Sequence, residues 1–473
     1  METTPTGLIE RFNRWLSESI MVKLASIGFL VLILLIPSAW VESIIREREH
    51  RADSVVEEVA SKWSGQQTVN GPMLIIPYIY RFEAEVEHER EVNGKTVIEK
   101  KKEMKERVEN AYFLPETLNI TGKVVPETRK RGIFEAVVYQ STIDLKASFS
   151  APNFSTQKIA DADILWYDAQ IVLGIKDLRG ISDNPTLLIG GKPCVGEPSN
   201  ALRYFSDYHD GDANGNTTGN GVVVKLPWKT ASDFSGDVAM NLSLKGSSSL
   251  YFSPVGKTTD VSLSGPWADP SFDGKFLPHN SKIDDSGFSA TWKVLHYNRP
   301  FSQSWFDEEK NLTGSDFGAK LLIPVDQYQK SMRSSKYGVL VILLTFVSLF
   351  MVEVMRKVRI HPFQYILIGA ALIIYYTLLL SFSEQVGYNW AYLIATVATV
   401  ALVGLYSTTF LQSRALVVTF TSLLIFFYTF IFVIIQMQDF SLLLGSIGLF
   451  MIIGAIMYFS RGIKWYKEPV AAN

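Results

Sequence analysis

Six long apolar stretches constrain this chain more than any other feature, because a helix needs about 20 apolar residues to cross the hydrocarbon core of a membrane. The stretches are residues 24–45, 338–355, 362–382, 390–411, 415–435 and 440–459. One lies near the start of the chain, and five follow one another at its end. The sequence therefore predicts six transmembrane helices, one N-terminal and five C-terminal.

The first apolar stretch has an alternative interpretation as a cleaved signal peptide, since the small residues Ser38 and Ala39 follow an apolar run. Residues 1–23 make a long leading segment, however, and Trp40 interrupts the small-residue pattern of a cleavage site. A retained membrane anchor is therefore favoured. The segment before it alternates apolar and basic residues at helical spacing, which is typical either of an amphipathic helix on the cytoplasmic surface or of a polar tail.

Basic residues flank alternate apolar stretches and orient the chain. They are Arg11, Arg14, Lys23, Arg356, Lys357, Arg359, Arg414, Arg461, Lys464 and Lys467. The intervening loops, residues 383–389 and 436–439, contain no Lys or Arg. Because Lys and Arg are enriched in cytoplasmic loops, both termini are predicted to be cytoplasmic and residues 46–336 to lie on the opposite side of the membrane.

These assignments divide the chain into five predicted segments. They are a cytoplasmic amphipathic N-terminus at 1–23, a transmembrane helix at 24–45, an extracytoplasmic β-rich domain at 46–336, a five-helix bundle at 337–460, and a cytoplasmic tail at 461–473. The fold class is thus an α+β membrane protein.

Apolar and polar residues alternate with a period of two in the large inserted segment, for example at 143–149, 240–244 and 288–294. This pattern is typical of half-buried strands and predicts a mostly antiparallel β domain, a sandwich of two similar halves. Asn93-Gly94 separates two long arms, 78–92 and 95–108, and so predicts a protruding hairpin. Helical spacing within residues 42–63 predicts a helix that continues from the first span.

Composition and motifs exclude several classes of protein. The net charge of −2 gives no basis for nucleic-acid binding. Cys194 is the one cysteine, so no intrachain disulfide forms. The loop 209–216 resembles the start of a calcium loop, but Gly221 stands where a bidentate Glu is needed. The chain lacks a nucleophile elbow, a zinc-protease motif and a phosphate-binding loop. We therefore expect no catalytic residues, no metal and no cofactor.

Glu353, Ser383 and Glu384 are candidate functional residues in the membrane part, because a carboxylate in a bilayer is costly. Glu353 is close in sequence to Arg356 and Lys357, which predicts an interfacial ion pair. Glu384 lies beside a loop without basic residues and is the stronger candidate for lining a functional cavity.

Trp267 and Trp292 are candidates in the inserted domain. With Phe272 and Trp305 they could form an aromatic patch for a partner or a glycan. Packing in the core is the favoured alternative.

The chain resembles the CreD family of bacterial inner-membrane proteins over nearly its whole length. The motifs that carry the resemblance include Trp63-Ser64-Gly65, Gly71-Pro72, Gly265-Pro266-Trp267, Pro270-Ser271-Phe272, Asn298-Arg299, His361-Pro362-x-Gln364-Tyr365 and Ser381-x-Ser383-Glu384. The resemblance implies a role in cell-envelope integrity under stress, and it supplies no catalytic residues.

Three functions follow as hypotheses. The favoured one is non-enzymatic envelope maintenance, in which the periplasmic β domain binds an envelope component or a periplasmic or membrane protein, with membrane lipids as further partners. The second is a transporter or channel for a small solute or lipid, built on the five-helix bundle. The third is a membrane-bound envelope-modifying enzyme.

Overall fold

A computed structural model describes residues 20–92, 95–157, 159–202, 205, 219–307, 310–321, 327–356, 358–411, 413–437 and 440–461. The predicted amphipathic segment before residue 20, the Asn93-Gly94 turn and the calcium-like loop 209–216 lie outside these residues. The chain forms two compact units, a membrane unit of Met1–Asp53 with Val325–Asn473 and a β unit of Ser54–Pro324. The periplasmic location of residues 46–336 stays a prediction.

Seven α-helices are described, and six of them contain the apolar stretches. They are α1 (Ile20–Trp63), α2 (Gln327–Lys336), α3 (Gly338–Arg356), α4 (Pro362–Val386), α5 (Tyr388–Ser407), α6 (Arg414–Gln436) and α7 (Ser441–Ser460). Five helical segments in the described part are long and apolar enough to cross a membrane: Met21–Trp63, Gln327–Arg356, Pro362–Val386, Tyr388–Ser407 and Arg414–Gln436. The sixth predicted span does form a helix, α7, but its described apolar part, Leu443–Tyr458, is shorter. Five of the predicted spans are thus confirmed as helices long and apolar enough to cross a membrane, and the sixth crossing stays a prediction.

Local chemistry sets the ends of α4. Pro362 occupies its first turn, where a missing N–H is no loss. The His361 side chain caps the helix, because its Nδ1 accepts from the backbone N–H of Phe363 at 3.2 Å. The helix ends at Gly387, whose φ of +78° suits glycine.

Helix α2 was not predicted from the sequence, because residues 327–336 were assigned to the β-rich segment. Its sequence is polar, but it buries Tyr328, Ser331, Ser334 and Ser335 on one face. Small hydroxyl side chains at helical spacing thus form the packed face, and a search for apolar residues overlooks them. By contrast, the predicted helix at 42–63 is confirmed as the second half of α1.

The β unit contains seventeen described strands in two sheets. They are β1 (Gln67–Val92), β2 (Lys95–Phe113), β3 (Thr117–Arg131), β4 (Phe134–Ser148), β5 (Gln170–Ile175), β6 (Thr186–Ile189), β7 (Lys192–Cys194), β8 (Glu197–Ser199), β9 (Gly221–Lys225), β10 (Asp237–Ser247), β11 (Ser249–Phe252), β12 (Thr258–Gly265), β13 (Pro270–Gly274), β14 (Asn280–Asp284), β15 (Gly287–Leu295), β16 (Ser304–Phe306) and β17 (Phe317–Leu321).

One sheet has the order β13-β17-β11-β1-β5-β9-β8, with β2 beside β1 and β16 beside β2. The other has the order β14-β15-β12-β3-β4-β10-β6-β7. Only β1–β11 and β3–β12 pair in parallel among the described strands. The predicted large, mostly antiparallel β architecture is confirmed.

The two sheets share one hydrophobic core. The predicted alternation is seen in β4, where Ile143, Leu145 and Ala147 are buried and the residues between them are exposed. Tyr139 of one sheet is fully buried, and its hydroxyl donates to the carbonyl of Ser249 in the other at 2.7 Å. The expected similarity of the two halves stays a prediction.

The long hairpin of β1 and β2 extends beyond the rest of its sheet. Its antiparallel register is unbroken from Leu74 opposite Phe113 to Val92 opposite Lys95, which confirms the predicted arms. Pairing of β1 with β5 stops at Ile75, and that of β2 with β16 involves only residues 111–113. Residues 79–92 and 95–108 therefore form a two-stranded ribbon that no third described strand covers.

This ribbon predicts a tolerated deletion. Replacing residues 85–102 by Asn-Gly should change the free energy of unfolding of the β unit by less than about 1 kcal/mol, because the described backbone there pairs only within the ribbon and the ion pairs described for Lys100 and Lys102 are exposed. Thermal unfolding of the full-length protein, followed by circular dichroism, measures this. Trp292→Ala is the destabilised reference, at about 3 kcal/mol, because Trp292 is fully buried. A ribbon deletion as destabilising as that reference would contradict the assignment.

Candidate functional site

Glu353 is a buried carboxylate in the membrane unit. Its side chain lies on α3 and is 5% exposed, and its Oε1 is 2.7 Å from the Nζ of Lys23 on α1. The hydroxyl of Tyr365 on α4 donates to its Oε2 at 3.1 Å. A buried charge is tolerated when it is paired and hydrogen-bonded, and both oxygens of Glu353 have partners. The carboxylate thereby joins α1, α3 and α4.

An open cavity of about 440 Å³ lies beside this ion pair. Its polar lining consists of Lys23, Ser26, Glu353, Arg359, His361 and Tyr365. Because Lys23 already neutralises Glu353, Arg359 adds a positive charge to the lining. The cavity therefore favours an anionic group over a cation.

Glu384 forms a second site of the same kind at the other end of α4. Its side chain is 10% exposed, and its Oε1 is 3.9 Å from the Nε of Arg48 on α1. The hydroxyl of Tyr328 on α2 donates to the same oxygen at 3.2 Å. Its neighbour Ser383 is buried and donates to the carbonyl of Leu380 at 2.8 Å, so its hydroxyl is used within its own helix.

The two sites repeat one arrangement, a carboxylate with a cation from α1 and a tyrosine from the bundle. Lys23 and Arg48 are about 25 residues apart on one helix, which corresponds to roughly 37 Å at 1.5 Å per residue. This length is comparable with a bilayer including its interfaces. The paired carboxylates therefore attach α1 to the bundle at both ends, and the structure does not bring Glu353 and Glu384 together.

Glu353 forms an ion pair, as expected, but with a cation that is distant in sequence. Its ion pair forms with Lys23, which is 330 residues away in sequence, instead of with Arg356. Lys357, the other expected partner, lies outside the described residues. Proximity in sequence could suggest only cations near Glu353 in the chain. Lys23, near the start of α1, was interpreted only as a sign of membrane orientation.

A buried cluster of tyrosines in the bundle was also missed by sequence reasoning. The ring of Tyr375 lies 4.5 Å from that of Tyr428 and 5.8 Å, edge to face, from that of Tyr392. The hydroxyl of Tyr392 donates to the carbonyl of Tyr428 at 2.7 Å. The tyrosines at positions 375, 376, 388 and 392 were the available signal. The cluster fixes α4, α5 and α6 against one another.

Residues 63–67 form a polar junction where α1 ends within the β unit. Gln67 is fully buried, and its Nε2 donates to Ser64 Oγ at 2.8 Å and to the carbonyls of Asp177 and Lys245. Asp177 accepts from the backbone N–H of Gly65 at 3.0 Å. The motif Trp63-Ser64-Gly65 therefore connects a helix end to both sheets.

Asp177 is held in its charged form at this junction. Burial acts to raise the pKa of Asp177, but hydrogen bonds from Arg179 and from the Gly65 backbone outweigh it and lower the pKa to about 2. The guanidinium of Arg179 also donates to the carbonyl of Ser61 at 2.7 Å, near the end of α1. The ionised carboxylate thus stabilises the connection between the helix and the sheets.

Trp292 and Trp267 have different positions. Trp292 is 2% exposed and packs edge to face on Phe272, and its Nε1 donates to the carbonyl of Phe276 at 3.1 Å. Trp305 is also buried, stacked on Tyr112 at 5.2 Å. Trp292 and Trp305 therefore pack in the core. Trp267 is partly buried against the core, and a functional role for it stays a prediction.

The fold and these sites define a class: a multi-pass membrane protein in which a two-sheet β unit is inserted between the first helix and a C-terminal bundle. The sequence model of the family described as "Inner membrane protein CreD" matches residues 19–466. The chain is also 29% identical over 462 residues to "Inner membrane protein CreD" of Escherichia coli (strain K12), covering 95% of each chain. The chain belongs to the CreD family of inner-membrane proteins.

The lowered pKa of Asp177 predicts a pH-dependent contribution to stability. The unfolded carboxyl has a pKa of about 3.9, so the contribution is complete above about pH 4 and is lost as the pH falls towards 2. Asp177→Asn should lower the free energy of unfolding at pH 7 by up to about 2 kcal/mol, and the difference from the native protein should shrink towards pH 2. Urea unfolding of the full-length protein, followed by tryptophan fluorescence between pH 2 and 7, tests this. A difference independent of pH would contradict it.

Proposed function

We propose that the protein maintains cell-envelope integrity under stress and acts non-enzymatically through its β unit. The observation that carries the proposal is that the two buried carboxylates, Glu353 and Glu384, form ion pairs with α1. Each binds a cation of α1, so the charged groups of the bundle hold the helix that continues into the β unit. The bundle then serves as an anchor. Membership of the CreD inner-membrane family supports this role.

We further propose that the chain crosses the inner membrane six times, with both termini cytoplasmic and residues 46–336 periplasmic. The 20-residue helix α7 supports the sixth crossing. Short connections between α3 and α7 make successive helices run in opposite directions. The ends that carry Arg356, Arg414 and Arg461 therefore share one side, the side that the distribution of basic residues assigns to the cytoplasm.

The ribbon of β1 and β2 is the proposed contact surface for an envelope component or a periplasmic or membrane protein. It exposes apolar side chains, among them Tyr80, Met104 and Val108 at 43%, 62% and 62%. Charged side chains of the ribbon pair with one another in exposed ion pairs such as Lys102–Glu83. An uncovered ribbon with exposed apolar side chains suits a protein surface or a lipid surface, and nucleic acid is not a proposed partner.

One observation favours transport as a second candidate function. The buried hydroxyls of Ser331, Ser335 and Thr345 have no hydrogen-bond partner among the described residues. Buried polar groups without partners are costly and would suit a hydrated path through the bundle. In such a path Glu384 would supply the buried carboxylate.

A complementation experiment separates the two functions. A deletion strain of the host is challenged with detergent and a β-lactam, and it is complemented with the full chain, with Glu384→Gln, or with the ribbon deletion. The envelope role predicts that Glu384→Gln complements within about twofold, because the amide oxygen still accepts from Tyr328 and the Lys23–Glu353 pair still holds α1 to the bundle. It also predicts that the ribbon deletion fails at a normal protein level, because residues 85–102 form the outer part of the proposed contact surface.

The opposite pattern would overturn the proposal. If Glu384→Gln abolished tolerance while the ribbon deletion complemented fully, the titratable carboxylate would be essential and the transport function would replace the envelope role. Quantitative immunoblotting of membranes controls for the amount of each variant.

A further inference from the structure

A deep apolar groove lies between α3, α6 and α7, away from both ion-paired carboxylates. Its volume is about 590 Å³, within the range of ligand-binding sites. Leu344, Met351, Phe420, Phe427 and Ala455 are among the side chains that line it. The groove is thus enclosed by three helices, in contrast to the single convex helix faces that bulk lipid covers.

The polar residues of the groove offer no free hydroxyl to a polar ligand. Ser348 donates to the carbonyl of Leu344 at 2.7 Å, and Thr419 donates to that of Ala415 at 2.8 Å. Both bonds lie within the residue's own helix, so the lining is effectively apolar. An acyl chain is the kind of group that such a surface accommodates in a membrane.

One end of the groove is positively charged. Arg356 lines the groove, is exposed, and forms no ion pair with any described residue. Because the connections along α3 to α7 are short, successive helices run in opposite directions. Arg414 at the start of α6 and Arg461 after α7 therefore lie at the same end of the bundle as Arg356. The other end is formed by uncharged residues, Phe430 and Gly448 among them.

We propose that this groove binds one anionic phospholipid, with an acyl chain between the three helices and the phosphate head group at Arg356. The site is independent of the Glu353 cavity and of the β unit. Charge complementarity identifies the head group, since a guanidinium binds phosphate oxygens through charge-assisted hydrogen bonds. The apolar lining identifies the remainder of the ligand.

Native mass spectrometry of the delipidated full-length protein in detergent tests the proposal. The probes are phosphatidylglycerol, phosphatidylcholine with the same acyl chains, and inorganic phosphate. We expect one phosphatidylglycerol to bind at least about tenfold more tightly than phosphatidylcholine, and inorganic phosphate not to compete. Equal affinity for the two lipids, or full competition by inorganic phosphate, would overturn the proposal.

Two variants and a matched control locate the site. Ala455→Phe fills the groove and should weaken phosphatidylglycerol binding about tenfold or more. Ile453→Phe, on the same helix but outside the lining, should leave binding unchanged. Arg356→Gln should remove the preference over phosphatidylcholine while the groove remains open. Unchanged thermal stability of each variant shows that folding is intact.

Three results would contradict the assignment. The first is equal binding by Ala455→Phe and Ile453→Phe. The second is an undiminished lipid preference in Arg356→Gln. The third is a dimer that Ala455→Phe dissociates, which would make a second copy of the chain the occupant of the groove.

Discussion

Two buried carboxylates determine how the membrane unit is assembled. A carboxylate in a low-dielectric environment requires a cation and hydrogen-bond donors. Glu353 and Glu384 obtain their cations from Lys23 and Arg48, which precede the β unit in sequence, while both carboxylates follow it. The first helix is therefore bound into the C-terminal bundle although some three hundred residues separate them.

The β unit has its own determinants of stability. One hydrophobic core serves both sheets, and hydrogen bonds such as that from Tyr139 to Ser249 connect them. At the end of α1, Arg179 donates to the carbonyl of Ser61, one of the carbonyls that a helix C-terminus leaves without partners, and Asp177 accepts from the backbone N–H of Gly65. The ribbon of β1 and β2 lies outside this packing and is available for contact with a partner.

Part of this architecture follows directly from the sequence. The length of the apolar runs predicts the membrane helices, and period-two alternation predicts the strands. Asn93-Gly94 predicts the register of the long hairpin, because a two-residue connection fixes which residues face each other. Each of these features depends on residues that are near one another in the chain.

Features that depend on distant residues were not predictable in the same way. The pairing of Glu353 with Lys23 requires knowledge of which helices pack together. Helix α2 was missed because its buried face consists of serines, which no hydrophobic pattern reveals. By contrast, the core position of Trp292 was the favoured interpretation from the sequence, because the alternation at residues 288–294 places it on the apolar face of β15.

Charge reversal at the Lys23–Glu353 pair tests the account most directly. Lys23→Glu and Glu353→Lys should each destabilise the full-length protein in detergent by about 2 kcal/mol, because each brings like charges together in a buried site. The double variant should recover at least half of the lost thermal stability. Arg46→Glu, at an exposed pair with Glu42 on the same helix, is the matched control and should change stability little. The pair would not hold α1 to the bundle if the single variants were as stable as this control. The same conclusion would follow if the double variant were no more stable than the less stable single variant.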